Sequence, residues 1–370
     1  MRIFFMAVVA ILFQLCTYAL ASGVQWLVRP WASDAILKAV MIGLFVISNV
    51  ILLLLITGSF RIGMSYLSVL WIAILAMALT LVIGVLASRF GITLGHGLRV
   101  FGVASFIGLI ALGLYNVYTP TVRHLSISID KPMPVPVRIA VVSDLHLGEL
   151  IGISHLDKLA GILNDEQVDL LLMPGDVMDD DTVAYDAYGM ASHFKTVVDA
   201  TGFGAVASLG NHDLYRRQAQ ADIVKAITDT GTLLLDDKTA QIDIQKDGKT
   251  TSLSVIGRFD DHVAARLPTA ELIKQVKTDQ PVILLDHRPS QIDENSQLPI
   301  DLQVSGHTHN GQIFPANFIV AMMNRIGYGY EQVGNMHTVV SSGYGLWGVP
   351  LRLGSQSEVW IIDMVGSTPK

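Results

Sequence analysis

The chain has 370 residues, of which 51% are hydrophobic and only 15% charged, more apolar material than one soluble core normally uses. Its net charge of -7 supplies no basic stripe with interleaved aromatics, so no stable nucleic-acid partner is expected, although nucleic acid stays open as a substrate. Cys16 is the only cysteine and lies in an apolar run, which excludes an intramolecular disulfide framework and a thiolate metal cluster.

Charge is unevenly spread, with most Asp, Glu and Lys falling after residue 122. Two regions with different solvents are therefore expected, a transmembrane anchor over residues 1–121 and a soluble domain over residues 122–370. Four stretches, residues 3–27, 35–57, 64–88 and 98–118, are long enough to cross a hydrocarbon layer of about 30 Å, which takes roughly 20 helical residues each. The first also resembles a signal peptide, with Arg2 in front and Ala19-Leu20-Ala21 placed like a cleavage site; the three later spans favour an uncleaved helix. Arg2, Arg61, Arg123, Lys131 and Arg138 would share one face of the membrane, and Arg29, Lys38, Arg89 and Arg99 the other. That near balance leans slightly to a cytoplasmic soluble domain at the cell membrane. No span carries a central Asp, Glu, Lys or Arg, which argues for an anchor rather than an ion pathway.

From residue 137 onward, short apolar runs at 137–143, 168–173, 203–209, 282–285, 302–304, 337–341 and 359–362 alternate with helix-like segments such as 154–163 and 217–227. This predicts an α/β domain with buried strands. Several of these runs end in Asp, Asn or His, and polar groups at the carboxyl ends of strands form sites. The first is Asp144 and His146, two residues apart and on one side of an extended chain. Gly175-Asp176 follows, where glycine permits close backbone approach before a carboxylate. The Asp179-Asp180-Asp181 run reads as a solvated loop, since it lacks the alternation and distal Glu of a calcium loop.

Gly210-Asn211-His212-Asp213 supplies an amide oxygen suited to a hard cation, with a histidine beside it. A lone His287 follows 282–285, and His307 and His309 stand at spacing two in a glycine-flanked loop. Each signal alone has a bland reading as a turn or a satisfied buried histidine. Their joint occurrence at five strand ends points to a metal centre.

In order and wording these blocks resemble the calcineurin-like metallophosphoesterases, with Asp-x-His, Gly-Asp-x-x-Asp, Gly-Asn-His-Asp, a lone His and Gly-His-x-His all present over residues 137–364. The segments Leu285-Asp286-His287-Arg288-Pro289 and Ser342-Gly343-Tyr344-Gly345-Leu346-Trp347-Gly348 look like its membrane-associated branch, which includes phosphodiesterases and a UDP-diacylglucosamine pyrophosphatase. The resemblance implies a four-layer α/β/β/α sandwich; the bundle of about four transmembrane helices expected before it lies outside the resemblance and rests on the apolar runs alone. It implies one metal on Asp144, His146 and His309, another on Asn211, His287 and His307, and Asp176 bridging them. A hydroxide between the cations would attack a phosphodiester or pyrophosphate, with a lipid-linked substrate among the options that the branch offers and the bilayer as neighbour.

His212 would protonate the leaving oxygen or stabilise developing charge, oriented by Asp213, while Asp179 would support the loop. Manganese is the first expectation among the two divalent ions, with Fe, Zn, Co and Mg compatible. A phosphomonoesterase or nuclease, and a non-catalytic metal-binding scaffold, are the competing readings. Arg288 could contact phosphate or make a structural ion pair. The apolar segment 317–325 reads as a core helix, with access for a lipid tail as the sharper alternative.

Overall fold

The computed structural model describes residues 2–56, 58 and 60–367, and the chain divides into two compact units. The first runs to Tyr115 and takes in Gly348–Leu351; the second starts at Asn116 and holds the rest.

Four long helices build the amino-terminal region: α1 (Arg2–Val28), α2 (Asp34–Ile56), α3 (Phe60–Arg89) and α4 (His96–Tyr118). All four are long and apolar enough to cross a membrane. At 1.5 Å per residue, the 23 residues of α2 reach about 35 Å. Their surfaces invert the soluble pattern, because Ile11, Ile42, Leu81 and Val100 each point more than half of their area outward. Polar groups are satisfied internally, with Thr80 Oγ1 donating to the Ala76 carbonyl at 2.7 Å and Gln14 Nε2 donating across helices to Asn49 Oδ1 at 2.8 Å. The end of the second expected span, at residue 57, lies outside the described residues.

Among the described residues the second unit holds twelve strands: β1 (Thr121–Pro132), β2 (Val137–Val141), β3 (Leu170–Pro174), β4 (Ala205–Ser208), β5 (Leu233–Leu234), β6 (Lys238–Lys246), β7 (Lys249–Gly257), β8 (Val282–Leu285), β9 (Leu302–Ser305), β10 (Gly329–Val333), β11 (Met336–Val340) and β12 (Glu358–Ser367). They form two six-stranded sheets, ordered β1-β12-β2-β3-β4-β5 and β10-β11-β9-β8-β7-β6. The neighbours β2-β3-β4 and β7-β8-β9 are parallel, so their carboxyl ends share an edge within each sheet.

Strand alternation assigns the layers. Ile139, Val141, Leu170, Leu172, Ile283 and Leu285 meet between the sheets. The intervening Ala140, Leu171 and Met173 face outward onto the helices Ile153–Asp165, Ala191–Asp199 and Gln220–Thr228 through Leu159, Phe194 and Ile223. Val282 and Leu284 pack on the other outer face with Leu272 and Ile292. The expected α/β/β/α sandwich is the observed one.

One buried base is left without compensation. His155 is 7% exposed, and neither ring nitrogen has a hydrogen-bond partner. Burial, aided by the Lys158 charge, holds its pKa down to about 4. A base depressed below its ordinary value of about 6.5 is neutral in the fold and takes up a proton on unfolding. Its contribution is complete above that value and is lost as pH falls towards 4. His155→Phe is therefore expected to shrink the drop in melting temperature between about pH 7 and about pH 5, read by scanning fluorimetry; an unchanged drop would contradict this.

Candidate metal centre

Every expected ligand sits just past the carboxyl end of a parallel strand. Asp144 and His146 follow β2, Asp176 follows β3, Asn211 follows β4, His287 follows β8, and His307 and His309 follow β9. Both sheets thus supply one site. The turns that carry these residues are tight. Asp144, His146, Asp176, His307 and His309 all have positive φ, between 47° and 68°, a region costly for residues with a Cβ. Glycine appears where no side chain fits: a Cβ on Gly210 would lie 2.2 Å from Asp176 Oδ1, and one on Gly306 2.2 Å from Asp144 Oδ2.

The groups converge in two sets. In the first, His309 Nε2 lies 3.2 Å from His146 Nε2 and 3.5 Å from Asp144 Oδ1. In the second, His287 Nε2 lies 3.2 Å from both Asn211 Oδ1 and Asp176 Oδ2, with the His307 ring centred 5.1 Å from that of His287. Asp176 Oδ2 also lies 3.7 Å from His146 Nε2, so this one carboxylate faces both sets. Asp176 Oδ1 is pinned by the His212 backbone N–H at 2.8 Å, which leaves Oδ2 for the centre.

Neighbouring groups fix the tautomers. His287 Nδ1 donates to the Pro174 carbonyl at 2.9 Å, which directs the Nε2 lone pair inward. The Asp144 carboxylate accepts the His307 backbone N–H at 3.0 Å. Arg352 is fully buried, donates from Nη2 to the Ser342 and Gly345 carbonyls, and lies 3.2 Å from His309 Nδ1.

Such a set suits divalent cations. Two imidazole nitrogens facing each other cannot both donate, and each also faces a carboxylate, so a cation resolves contacts that protons resolve poorly. The electrostatics carry the same tension. Burial opposes charge on His287, yet Asp176 raises its pKa to about 10, and burial, reinforced by that charge, lowers His307 to about 3. Burial pushes the Asp144 carboxyl up, while Asp176 is held low by the histidines around it despite its burial.

His212 lies beside the first set, its ring 4.8 Å from that of His146 in edge contact. Its Nδ1 pairs with Asp180 Oδ1 at 2.7 Å. This corrects the role expected of Asp213, whose oxygens instead accept the backbone N–H groups of Gly210, Val177 and Met178 at 2.9, 3.2 and 2.8 Å. The reason is helical: His212 and Asp213 are consecutive in the turn Asn211–Tyr215, and consecutive side chains do not face each other. The Asp-rich run is thus not merely solvated. Asp179 stands 3.8 Å from His146 Nδ1, and Asp181 pairs with Arg216.

Arg288 makes the ion-pair choice, its Nε lying 2.9 Å from Asp260 Oδ2 and 3.1 Å from Asp261 Oδ1. Tyr344 is a packing residue, with its hydroxyl donating to the His155 carbonyl at 2.7 Å, whereas the Trp347 ring is 6.4 Å from that of His212.

Residues 137–311 match the family model described as calcineurin-like phosphoesterase. A metallophosphoesterase of Helicobacter pylori strain J99, described as uncharacterized, is 26% identical over 270 residues, covering 71% of this chain and 69% of its own. A transmembrane protein with metallophosphoesterase domain from Danio rerio is 27% identical over 271 residues, covering 68% of this chain and 59% of its own. A metallophosphoesterase of Aquifex aeolicus, likewise uncharacterized, is 27% identical over 270 residues, covering 70% of this chain and 97% of its own.

Proposed function

We propose that this chain, which through residues 137–311 belongs to the calcineurin-like phosphoesterases, is a membrane-anchored hydrolase that cleaves phosphodiester or pyrophosphate bonds of a lipid-linked substrate. Membership of the family makes it a metal-dependent phosphoesterase. The bond type, the lipid and the anchor are the proposal. The observation that carries it is the carboxylate of Asp176, which faces both ligand sets at 3.2 Å from His287 and 3.7 Å from His146.

Two bound divalent cations supply Lewis acidity and a water acidic enough to attack at neutral pH. The chain does the rest. Asp144, His146 and His309 would hold one cation, Asn211, His287 and His307 the other, with Asp176 shared. With only Asp144 and Asp176 as carboxylate ligands, a centre holding two divalent cations would be net positive and would favour an anionic phosphoester. His212, with Nδ1 tied to Asp180 at 2.7 Å, can carry a proton on Nε2 and deliver it to the departing oxygen. The four long apolar helices support anchoring, and the slight excess of basic residues favours a cytoplasmic catalytic unit at the cell membrane.

One assay tests this reading. Right-side-out vesicles carrying the full chain receive bis-para-nitrophenyl phosphate, or its monoester, with Mn, Mg, Zn, Co or Fe(II). Diester cleavage that is metal-dependent, strongest with Mn, and latent until the vesicles are permeabilised is expected. Preference for the monoester would favour a phosphomonoesterase, and tight metal binding without turnover a scaffold. Cleavage without permeabilisation would place the site outside.

A further inference from the structure

The helix Ala316–Met323 follows the His307–His309 loop and was expected in the core, but none of its residues is buried. Phe318, Ile319, Met322 and Met323 are 59%, 55%, 86% and 78% exposed. Their spacing puts all four on one stripe, and the helix has no charged residue. A hydrophobic run alone does not reveal which solvent covers it, which is why sequence reading assigned it to the core.

The opposite side is braced on the site. A Cβ on Gly327 would meet Val320 Cγ1 at 2.6 Å, and one on Gly311 would meet the Ala316 carbonyl carbon and the Asn317 nitrogen at 2.3 Å. Thr308 Oγ1, between the two histidines, donates to the Gly327 carbonyl at 2.7 Å, and Phe318 meets Phe314 edge to face at 5.8 Å. Contiguous exposed apolar side chains of this size mark an interaction surface.

We propose that Ala316–Met323 is an interfacial element that seats Phe318, Ile319, Met322 and Met323 in the headgroup-acyl boundary of the bilayer, so that lipid phosphoesters reach the metal centre from the membrane. The occupant is argued from the chain itself. Only Thr119 and Pro120 separate α4, a helix long enough to span a bilayer, from the first strand of the catalytic unit. With α4 in a bilayer, so short a link holds the start of β1 at the lipid surface, and an uncharged Phe-Ile-Met stripe suits that surface, where its burial costs no polar group. The substrate clause rests on the phosphoesterase reading above, and the docking clause on the membrane anchor proposed with it.

The test uses the full chain in vesicles of phosphatidylcholine and phosphatidylglycerol. In a Cys16→Ser background, a nitroxide is attached after Met322→Cys, with Leu81→Cys on α3 as the lipid reference and the exposed Lys249→Cys as the water reference. Electron paramagnetic resonance is expected to find the Met322 label quenched by oxygen more than by a nickel chelate, as at Leu81. Quenching by the chelate as at Lys249, or shielding from both as under a second copy or another protein, would overturn the docking. With Ile319→Glu and Met322→Glu combined, the ratio of lipid-diester to soluble-diester turnover is expected to fall about ten-fold or more. An unchanged ratio would overturn the access route. A lipid-buried label in a chain that hydrolyses nothing would instead defeat only the phosphoesterase reading.

Discussion

Asp176→Asn is expected to lower metal-dependent diester turnover by at least about a thousand-fold, and to reduce bound metal below two ions per chain. The substitution keeps the shape of the side chain and an oxygen able to accept the His212 backbone N–H, which Asp176 Oδ1 now accepts at 2.8 Å. What it removes is the negative charge between the two sets and one of the oxygens facing them. An amide nitrogen facing His287 Nε2, now 3.2 Å from Oδ2, is a donor and cannot bind a cation. Metal content by plasma emission and turnover on one preparation separate the outcomes. Loss of both supports a shared ligand. Full loss of turnover with two ions retained would mean that Asp176 acts on substrate or water and not as the bridge.

Much of this centre was legible because its residues break a strong background. In β2, β3, β8 and β9 nearly every residue is buried, so an Asp or His directly after them stands out against its neighbours. The four long helices were legible for a related reason, since an uninterrupted apolar run of that length has few other uses. Where reading failed, the missing information was three-dimensional. Nothing local separates Asp180 from Asp179 or Asp181, and which of the three meets His212 depends on how the loop after β3 passes the turn after β4. The hairpin of β6 and β7 escaped because its outer strand is mostly polar, though the Asp247-Gly248 pair between them is a turn signal. β1 escaped because it pairs in parallel with β12, more than two hundred residues later in the chain, a partnership no local pattern records. The segment after His309 was misplaced because apolarity was read as burial.

His212→Ala is expected to lower kcat for diesters by about a hundred- to ten-thousand-fold while leaving two ions bound, because the ring stands beside the ligands without joining the two sets. The size of the loss should depend on the leaving group. A para-nitrophenolate departs without help, whereas an alkoxide needs a proton, so the defect should deepen from aryl to alkyl diesters if Nε2 is the donor. Equal defects for both would assign His212 to charge stabilisation alone. Asp180→Asn refines the result, since Asp180 Oδ1 lies 2.7 Å from Nδ1 of that ring. An asparagine can still accept from Nδ1–H but no longer supports a positive imidazole, so kcat should fall by about ten- to a hundred-fold with KM and metal content little changed. The same leaving-group trend should appear, weakened. Asp213→Asn makes the contrast: its carboxylate serves the Gly210, Val177 and Met178 N–H groups, so its loss should lower melting temperature and metal content together, with no dependence on the leaving group.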